Sequence, residues 1–383
     1  MIFKINTTLL YNALAKAGAA CAGVKTTLPI LRCVYFHQVD GEIHVIGSDS
    51  ERWLELPLQL SIEQGGWKDF CLPTERILPT LQFYPDLDVT VDVSFESARI
   101  TFSVVDENGK TKQFVTPIFE TDNYPILVFS WYQHSLVTSG KRFYSYIKEA
   151  SKYLDNNSAR PILSCVRVDV TPTMLTVVGT DSCNMYRNII VRESADDKEG
   201  TFGFNIPRNV VAVLQHVVDD AEDIQILVSD TAIKVISGST LLVARIMEGR
   251  YPNYNAVIPK NCEKYAILNL AAFRRSLKVV KLFASQASNI TKLTFGIMSL
   301  NLEEEDIDFG NKAQETTDYV LIKGVTKPES IGVHAEHMLS MLSDIQTENV
   351  KLSFISCDRP MIVEEDSEDS RLTLLIMPML LNL

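Results

Sequence analysis

The alternation of apolar and polar positions predicts three amphipathic helices that share one spacing. Apolar residues recur at i, i+4, i+7 and i+11, which is the spacing of one helical face. The three sets are Leu10, Leu14, Ala17 and Cys21; Phe143, Ile147, Ala150 and Leu154; and Phe273, Leu277, Val280 and Ala284. A short strand-like run precedes each set, at Ile2–Ile5, Ser135–Thr138 and Tyr265–Leu268. The pattern therefore predicts the same strand-helix opening at three places in the chain.

A second helix is predicted further along each of the three segments, with strands around it. Its copies begin near Leu72, Ile206 and His334. A proline follows Leu72 and another follows Ile206, and proline is common in the first turn of a helix. Period-two alternation indicates strands at Arg99–Phe102, Arg167–Val170 and Leu293–Leu302. Each segment then reads β-α-β-β-β-α-β-β-β, an α+β body with few helices and much antiparallel sheet.

Two blocks of sequence repeat at one offset. Thr27–Val34 resembles Ala159–Val166, and Val45–Ser50 resembles Val177–Ser182, each pair being shifted by 132 residues. Two separate blocks with a common offset and no gap between them indicate an internal duplication.

The segment Arg245–Pro259 reads RIMEGRYPNYNAVIP. It is too apolar for a free linker and too rich in turn residues for the interior of a helix or strand. Pro252 and Pro259 fix φ and lack a backbone donor. An earlier copy occurs at Phe119–Pro125. We interpret the segment as an ordered joint, and three repeats of roughly 125 residues account for the chain. The predicted domains are residues 1–128, 129–256 and 257–383.

Length and composition bound the class of protein. A chain of 383 residues with 46% hydrophobic and 22% charged residues fits a soluble protein of two or three domains. We see no apolar run long enough to span a bilayer and no signal peptide. Seven cysteines without a C-x-x-C motif argue against a disulfide framework and favour a cytoplasmic location. The net charge of −12 excludes a surface that is basic all over but allows a local basic face.

Several of these motifs together resemble the bacterial DNA polymerase III beta subunit, the sliding-clamp family. They are GRYPNYNAVIP at 249–259, the paired LPIL and RPIL blocks, the turn Gly179–Asp181 and the ending Met377–Met379. The resemblance covers all three repeats. It implies a head-to-tail homodimer whose six domains close a ring around duplex DNA, with helices lining the hole and sheets forming the outer wall. Such a ring tethers the replicative polymerase for processive synthesis, performs no chemistry and needs no cofactor.

A basic stripe on the third repeat's first helix fits contact with DNA. Arg274, Lys278 and Lys281 lie at i, i+4 and i+7, Arg275 lies beside them, and no acid occurs between Ala271 and Ala284. Lysines on such a face hold phosphates without reading sequence. A solvated helix face is the alternative.

The other repeats carry fewer cations on the corresponding helix. The second repeat has Lys141, Lys148 and Lys152, with Glu149 as the one acid, and the first repeat keeps only Lys16. The recurrence favours the DNA face.

Three further cations match DNA contacts of the family by position. The resemblance implies this role for Lys25, Arg160 and Arg208. The alternative for each is an ordinary exposed cation.

The acidic run Glu303–Asp306 follows a predicted strand of the third repeat. In the family, an acidic edge of the third domain meets a basic edge of the first domain of the other subunit. The resemblance therefore implies a dimer interface with an acidic side and a basic side, where charges steer the contact. Its predicted members are Glu303, Glu304, Phe283 and Phe114, with Lys110 and Lys112 as the basic edge.

The family also binds a short linear peptide between its second and third domains, through which the polymerase, the clamp loader and repair proteins attach. By position, the wall of this site is Leu163, Thr180, Met185, Pro252, Val257, Leu375, Met377, Pro378 and Met379. Methionines suit a site that repacks around different ligands. The alternative is that these are core residues or an ordinary C-terminal strand.

This chain departs from the family pattern at the peptide site. Ser182–Met185 stands where the family usually shows Gly-His-Arg-Leu, and Ala256 and Leu380 stand where it usually has arginines. We therefore expect a less basic site with altered partner preference.

Two rival readings remain open. One is an enzyme that uses Asp181 as an acid or base in the cleft between the second and third repeats, and the other is a scaffold of the same fold that does not bind DNA. His334 and His337 could place two imidazoles on one helical face, but no third metal ligand accompanies them. No phosphate-binding glycine motif is present.

Overall fold

A computed structural model describes residues 1–23, 26–157, 159–192, 200–218, 223–284, 289–306 and 309–381. The chain divides into two compact units. Unit 1 comprises Met1–Tyr144 and Asn209–Glu248, and unit 2 comprises Ser145–Arg208 and Gly249–Leu383. Among the described residues, no helix is both long enough and apolar enough to cross a membrane.

Twenty-five strands and six α-helices follow one another along the described chain. The first part contains β1 (Ile2–Asn6), α1 (Thr7–Gly18), β2 (Cys33–Val39), β3 (Glu42–Ser48), β4 (Arg52–Pro57), β5 (Ser61–Gln64), β6 (Phe70–Pro73), α2 (Ile77–Leu81), β7 (Asp88–Ser94), β8 (Arg99–Val105) and β9 (Thr111–Pro117). The middle part contains β10 (His134–Ser139), α3 (Gly140–Ser151), β11 (Cys165–Val170), β12 (Met174–Thr180), β13 (Asn184–Val191), β14 (Phe202–Pro207), α4 (Arg208–Val218), β15 (Asp223–Val228), β16 (Ala232–Ser237) and β17 (Thr240–Arg245). The last part contains β18 (Lys264–Asn269), α5 (Leu270–Lys281), β19 (Ile290–Phe295), β20 (Ser299–Asp306), β21 (Asn311–Lys323), β22 (Glu329–His334), α6 (Ala335–Asp344), β23 (Asn349–Phe354), β24 (Met361–Glu365) and β25 (Thr373–Ile376). Short 3-10 helices lie at Pro29–Arg32, Pro161–Ser164 and Tyr254–Ala256.

The three predicted amphipathic helices are confirmed as α1, α3 and α5. In α5, Phe273, Leu277 and Val280 are fully buried, and the side chain of Asn269 caps the helix by accepting from the backbone N–H of Ala272 at 3.0 Å. Cys21, Leu154 and Ala284 lie beyond the C-terminal ends of their helices. Each helix is therefore shorter than its apolar pattern.

Each part carries one strand more than predicted before its second helix, and the first part also has the short β5. The additional strands include β6 and β14, which end at Pro73 and Pro207. Both are edge strands of their sheets. Proline is tolerated in an edge strand because its missing N–H is not needed for pairing with a further strand. The two prolines therefore end strands, and the prediction that they open helices is wrong.

The predicted strand Leu293–Leu302 is wrong as a single element. It divides into β19 and β20 because Gly296 begins a turn, in which its N–H donates to the carbonyl of Ser299 at 3.1 Å. Ile297 and Met298 lie exposed in this turn.

Each unit is built on antiparallel sheet. Unit 1 holds a five-stranded sheet in the order β5-β1-β7-β8-β9 and an eight-stranded sheet in the order β10-β15-β16-β17-β4-β3-β2-β6. Unit 2 holds a twelve-stranded sheet in the order β14-β11-β12-β13-β25-β24-β23-β18-β21-β20-β19-β22. Two ladders join distant parts of the chain, because β17 pairs with β4 in unit 1 and β13 pairs with β25 in unit 2.

The duplicated glycines mark where a helix meets a sheet. A Cβ on Gly47 would lie 1.7 Å from the carbonyl oxygen of Ala17 in α1, and a Cβ on Gly179 would lie 2.1 Å from that of Ala150 in α3. Only glycine fits such a close approach. The repeated Val-x-Gly-x-Asp-Ser blocks therefore serve the same packing in both units.

Candidate functional site

An apolar cluster in unit 2 joins the three stretches that were predicted to converge. Met185 of β13 lies directly opposite Leu375 of β25, and both pack with Val178 and Tyr251. The partly buried side chains of the joint segment and of the 3-10 helix before β11 cover this cluster; they are Ile162, Tyr254 and Ile258.

The C-terminal segment is tied to this cluster by backbone hydrogen bonds. The N–H of Met377 donates to the carbonyl of Cys183 at 2.8 Å, and the N–H of Met379 donates to the carbonyl of Gly332 at 2.8 Å. The predicted wall residues lie on four stretches of one unit, which are the 3-10 helix before β11, the β12–β13 region, the joint segment and the C-terminal segment. We call the surface formed by them the peptide groove, after the role that was predicted for it; its members are Leu163, Thr180, Met185, Pro252, Val257, Leu375, Met377, Pro378 and Met379.

Burial separates the base of the peptide groove from its edge. Leu163, Met185 and Leu375 are at most 5% exposed, whereas Val257 is 51% and Met377 37% exposed. The base thus belongs to the core, as the alternative reading proposed, while the apolar side chains of the edge are exposed.

The loop between β12 and β13 is held by its own aspartate. One carboxylate oxygen of Asp181 accepts from the backbone N–H groups of Cys183 and Asn184, at 2.8 and 2.6 Å. The other accepts from the side-chain amide of Asn184 at 2.9 Å. The carboxylate therefore has a structural part in the loop, which argues against the rival reading of Asp181 as a catalytic acid or base.

The structure adds His337 to this loop, a residue that the sequence analysis weighed only as a metal ligand. The side-chain nitrogen of Asn184 lies 2.9 Å from Nδ1 of His337, in the first turn of α6. Within the described residues, no group of histidine, cysteine or acidic side chains could hold a metal ion. The contact between Asn184 and His337 could not be predicted from sequence spacing, because 153 residues separate them.

The basic stripe on α5 divides into engaged and available cations. Arg274 donates to the carbonyl of Leu342 at the end of α6, and Lys281 pairs with Glu336 at 2.8 Å. Arg275 and Lys278 are exposed, and neither has an ion pair with any described residue. These two cations, with Arg274 and three apolar residues, line an open surface cavity of about 430 Å³; the apolar residues are Ala271, Val279 and Leu282.

The second-repeat cations divide in the same way. Lys148 on α3 is exposed and forms no ion pair within the described chain, whereas Lys152 lies between Glu149 and Asp344, 3.0 Å from the latter. Burial raises the pKa of Glu149, and Asp344 raises it further. For Lys152, burial lowers the pKa, but the hydrogen bonds to Glu149 and Asp344 outweigh it and raise the pKa overall. The charge of Lys152 is therefore largely offset by its neighbours.

Two of the remaining predicted DNA contacts, Arg160 and Arg208, have partners within the chain. Arg160 pairs with Asp155 at 2.7 Å and donates to the hydroxyl of Ser182 at 2.6 Å. Arg208 donates to the carbonyl of Leu154 at 2.9 Å. Lys25 lies outside the described residues.

The acids predicted for a dimer interface point to opposite sides of β20. Glu303 pairs with Lys292 at 3.0 Å, whereas Glu304 is 2% exposed and accepts a hydrogen bond from Thr291. Burial raises the pKa of Glu304. Because Leu300, Leu302 and Glu304 alternate with outward residues, the strand's period of two carries Glu304 inward. Only Glu303 of this pair is available at the surface.

The two predicted aromatic residues remain accessible in part. Phe114 on β9 is half-buried with its ring centroid 5.4 Å from that of Tyr84, and Phe283 is 40% exposed.

Solved structures of DNA polymerase III beta subunits share this fold. The DNA polymerase III beta chain of Streptococcus pneumoniae matches with a TM-score of 0.89 at 21% identity, over 99% of this chain and 100% of that one. The sliding clamp of Pseudomonas aeruginosa, solved bound to griselimycin, matches with a TM-score of 0.89 at 16% identity, over all of both chains. The fold is therefore that of a sliding clamp.

Sequence comparison identifies the family. Two family models match, the central domain of the DNA polymerase III beta subunit at residues 138–253 and its C-terminal domain at residues 255–380, together more than half of the chain. The beta sliding clamp of Staphylococcus aureus is 23% identical over 359 residues, which is 92% of this chain and 93% of that protein. The chain belongs to the DNA polymerase III beta subunit family. It is accordingly a non-catalytic accessory subunit, and the enzyme reading is set aside.

Proposed function

We propose that this chain is a sliding clamp that encircles duplex DNA and tethers the replicative polymerase and other partners for processive synthesis in the cytoplasm. The observation that carries the proposal is the match of the whole chain to sliding clamps, over 99% of its length in one structure. The predicted domains 1–128, 129–256 and 257–383 are proposed as its three clamp repeats.

Ring closure requires a second copy. In unit 1, β9 is the last strand of its sheet and carries Phe114, so an edge is available for another chain. A head-to-tail homodimer would place this edge against the third repeat of the partner, near Phe283 and Glu303. Closed symmetry would satisfy both edges at once.

The proposed DNA contacts are the cations that the structure leaves available. Arg275 and Lys278 on α5 and Lys148 on α3 are exposed. In a chain of net charge −12 they would hold phosphates weakly and without sequence preference. Weak contacts suit a ring that slides, because retention then depends on topology.

The peptide groove is proposed to receive the polymerase, the clamp loader and repair proteins through a short linear peptide. Its apolar edge, Val257 and Met377, would hold one or two bulky apolar anchors. Because Ala256 and Leu380 are not arginines, binding should depend little on ligand acidity and on salt.

Loading on DNA tests this function. We expect the wild-type protein to elute at about twice the 43.0 kDa chain mass and, after loading, to stay on circular DNA and run off linear DNA. The double variant Arg275→Glu/Lys278→Glu should remain dimeric and should lose most loading and sliding, because it reverses phosphate contacts. The triple variant of the original stripe, Arg274→Glu/Lys278→Glu/Lys281→Glu, should do the same.

A matched control changes the net charge equally elsewhere. Lys323 and Lys327 are exposed in the third repeat, and Lys323→Glu/Lys327→Glu should load normally. Equal loading by the two double variants would mean that the α5 cations form only a solvated helix face and do not contact DNA. A wild-type protein that stays monomeric, or that leaves circular and linear DNA alike, would favour a scaffold that does not encircle DNA.

A further inference from the structure

Two histidines stack at the start of α6, beside the peptide groove. The ring centroids of His334 and His337 are 4.3 Å apart, and the planes are 24° from parallel. Nδ1 of His334 is buried and has no hydrogen-bond partner among the described residues. Two residues earlier, the carbonyl of Gly332 accepts from Met379, which belongs to the groove.

The side chain of Asn184 favours one tautomer of His337, which is itself exposed to solvent. Its amide nitrogen donates to Asp181 at 2.9 Å and lies 2.9 Å from Nδ1 of His337. A primary amide has two N–H groups, so the second can donate to the histidine only if Nδ1 carries a lone pair. The geometry therefore selects a neutral His337 that is protonated on Nε2.

Asn184 cannot turn its amide round to accommodate a proton on Nδ1. If its oxygen faced His337, the nitrogen would leave Asp181 and the two would no longer be joined. Asn184 is only 4% exposed, so water does not replace the lost partner easily. Protonation of His337 would place two donors face to face at a buried amide.

The same loop holds the groove together. Thr180 donates its hydroxyl to the carbonyl of Asn184 at 2.7 Å, and the carbonyl of Cys183 accepts from Met377. Met185, at the base of the groove, follows Asn184 directly. A disturbance at Asn184 therefore reaches three groove residues through adjacent bonds.

The described charged groups around His334 and His337 offer no unpaired carboxylate that would stabilise a protonated His337. On α6, Glu336 is already paired with Lys281 of α5. On the loop, both oxygens of Asp181 are occupied, Cys183 lies beside it, and Arg160 is paired with Asp155. Burial lowers the pKa of His334, and the neighbouring His337 lowers it further.

We propose that the contact between Asn184 and His337 makes the peptide groove pH-sensitive, so that it binds an apolar peptide when His337 is neutral and releases it when His337 is protonated. This proposal rests on the proposed peptide-binding function. The residues that carry it, Asn184 and His337, include one of this chain's departures from the family pattern.

The test is a binding titration at several pH values. The probe is a rhodamine-labelled synthetic peptide that copies the C-terminal tail of the replicative polymerase of the same organism, measured by fluorescence anisotropy on the full chain. Between about pH 8 and about pH 5.5, where imidazoles titrate, wild-type affinity should fall about tenfold. His337→Asn keeps an acceptor near the position of Nδ1 but cannot titrate, so its affinity should be independent of pH.

A matched control is His37→Asn in unit 1, where the imidazole pairs with Asp69. It should keep the wild-type pH dependence. A wild-type affinity that is flat or rises on acidification would overturn the proposal, as would a His337→Asn variant that keeps the tenfold change.

A second measurement separates this proposal from the function on which it rests. In the free protein, the side-chain amide resonances of Asn184 and the backbone amide of Met377 should shift together with the titration of His337. If these resonances shift while the peptide does not bind at any pH, His337 is coupled to Asn184 and Met377, and the peptide-binding function fails. If these resonances do not follow the titration of His337, the coupling is refuted, whether or not the peptide binds.

Discussion

Two equivalent sites, one in each unit, differ in what fills them. In unit 1, Trp53 of β4 lies opposite Val243 of β17, beside Tyr124. In unit 2, Met185 of β13 lies opposite Leu375 of β25, beside Tyr251. Trp53 and Met185, like Val243 and Leu375, are separated by the 132-residue offset of the duplication. The same framework thus occurs twice.

Aromatic rings fill the site in unit 1. The ring of Tyr124 lies 5.1 Å from that of Tyr35 and 6.2 Å from that of Trp53, and Leu127 and Phe129 cover them. These residues form one core cluster, and such ring pairs stabilise a core beyond the area that they bury.

The site in unit 2 has smaller or more flexible residues at the corresponding positions. Met185 replaces Trp53, and Arg167, which pairs with Asp169, replaces Tyr35. The unit 2 site thus lacks the tryptophan of unit 1, and a chain end, Met377–Met379, lies along it.

The largest effect should come from removing that chain end. Deleting Met377 to Leu383 takes away two methionines of the groove and the hydrogen bond from Met377 to Cys183. Two buried apolar anchors contribute about 3 kcal/mol or more, so affinity for the polymerase tail peptide should fall more than about a hundredfold. Isothermal titration calorimetry measures the loss.

Deleting only Asn382 and Leu383 is the control, and it should leave affinity within about twofold. The longer truncation should still form a dimer in light scattering, because the residues proposed for the dimer contact, Phe114, Phe283 and Glu303, lie outside the deleted segment. Unchanged affinity in the longer truncation would remove the groove assignment.

A smaller effect should follow from exchanging the residues that distinguish the two sites. Met185→Trp places in unit 2 the ring that fills unit 1, and peptide affinity should fall about tenfold or more. Because Met185 is 2% exposed, overpacking should also cost about 1–3 kcal/mol of the free energy of unfolding.

The reciprocal variant Trp53→Met is the matched control. It should destabilise unit 1 by about 2–4 kcal/mol through a cavity, while peptide affinity stays at the wild-type level. If both variants bind the peptide normally, ring volume does not decide which site is a groove.

The repeat and the helices could be predicted because they rest on local patterns. Helical spacing located α1, α3 and α5, and the duplicated blocks contain Gly47 and Gly179, where a helix meets a sheet in each unit. Local chemistry also misled: Pro73 was taken for the start of a helix, although the edge position that allows it to end β6 is a property of the sheet.

Charge partners could not be predicted, because they depend on long-range contacts. Lys152 meets Asp344 across 192 residues, and Arg274 meets Leu342 across 68. The inward direction of Glu304 depends on the register of β20, which the interrupted pattern at Gly296 had hidden. The sequence therefore showed which cations share a helix but not which of them remain available.

The smallest effect should come from the hydroxyl groups of the two joint tyrosines. Tyr124 donates to the carbonyls of Cys33 and Ile46, at 3.2 and 3.0 Å. The buried hydroxyl of Tyr251 forms no hydrogen bond of good geometry with the described residues, and the backbone of Thr180 is the nearest polar group to act on its pKa. Tyr124→Phe should therefore lower the free energy of unfolding by about 1–2 kcal/mol, and Tyr251→Phe should leave it within about 0.5 kcal/mol, because removing an unpaired buried group costs little. Urea denaturation of both variants and the wild-type protein measures the difference, and each variant serves as the control of the other. Equal losses of stability would mean that the hydroxyl of Tyr251 is hydrogen-bonded like that of Tyr124, and the contrast between the two sites would fail. A gain in stability for Tyr251→Phe would strengthen the contrast, because it would show that the hydroxyl of Tyr251 is unpaired in the folded protein.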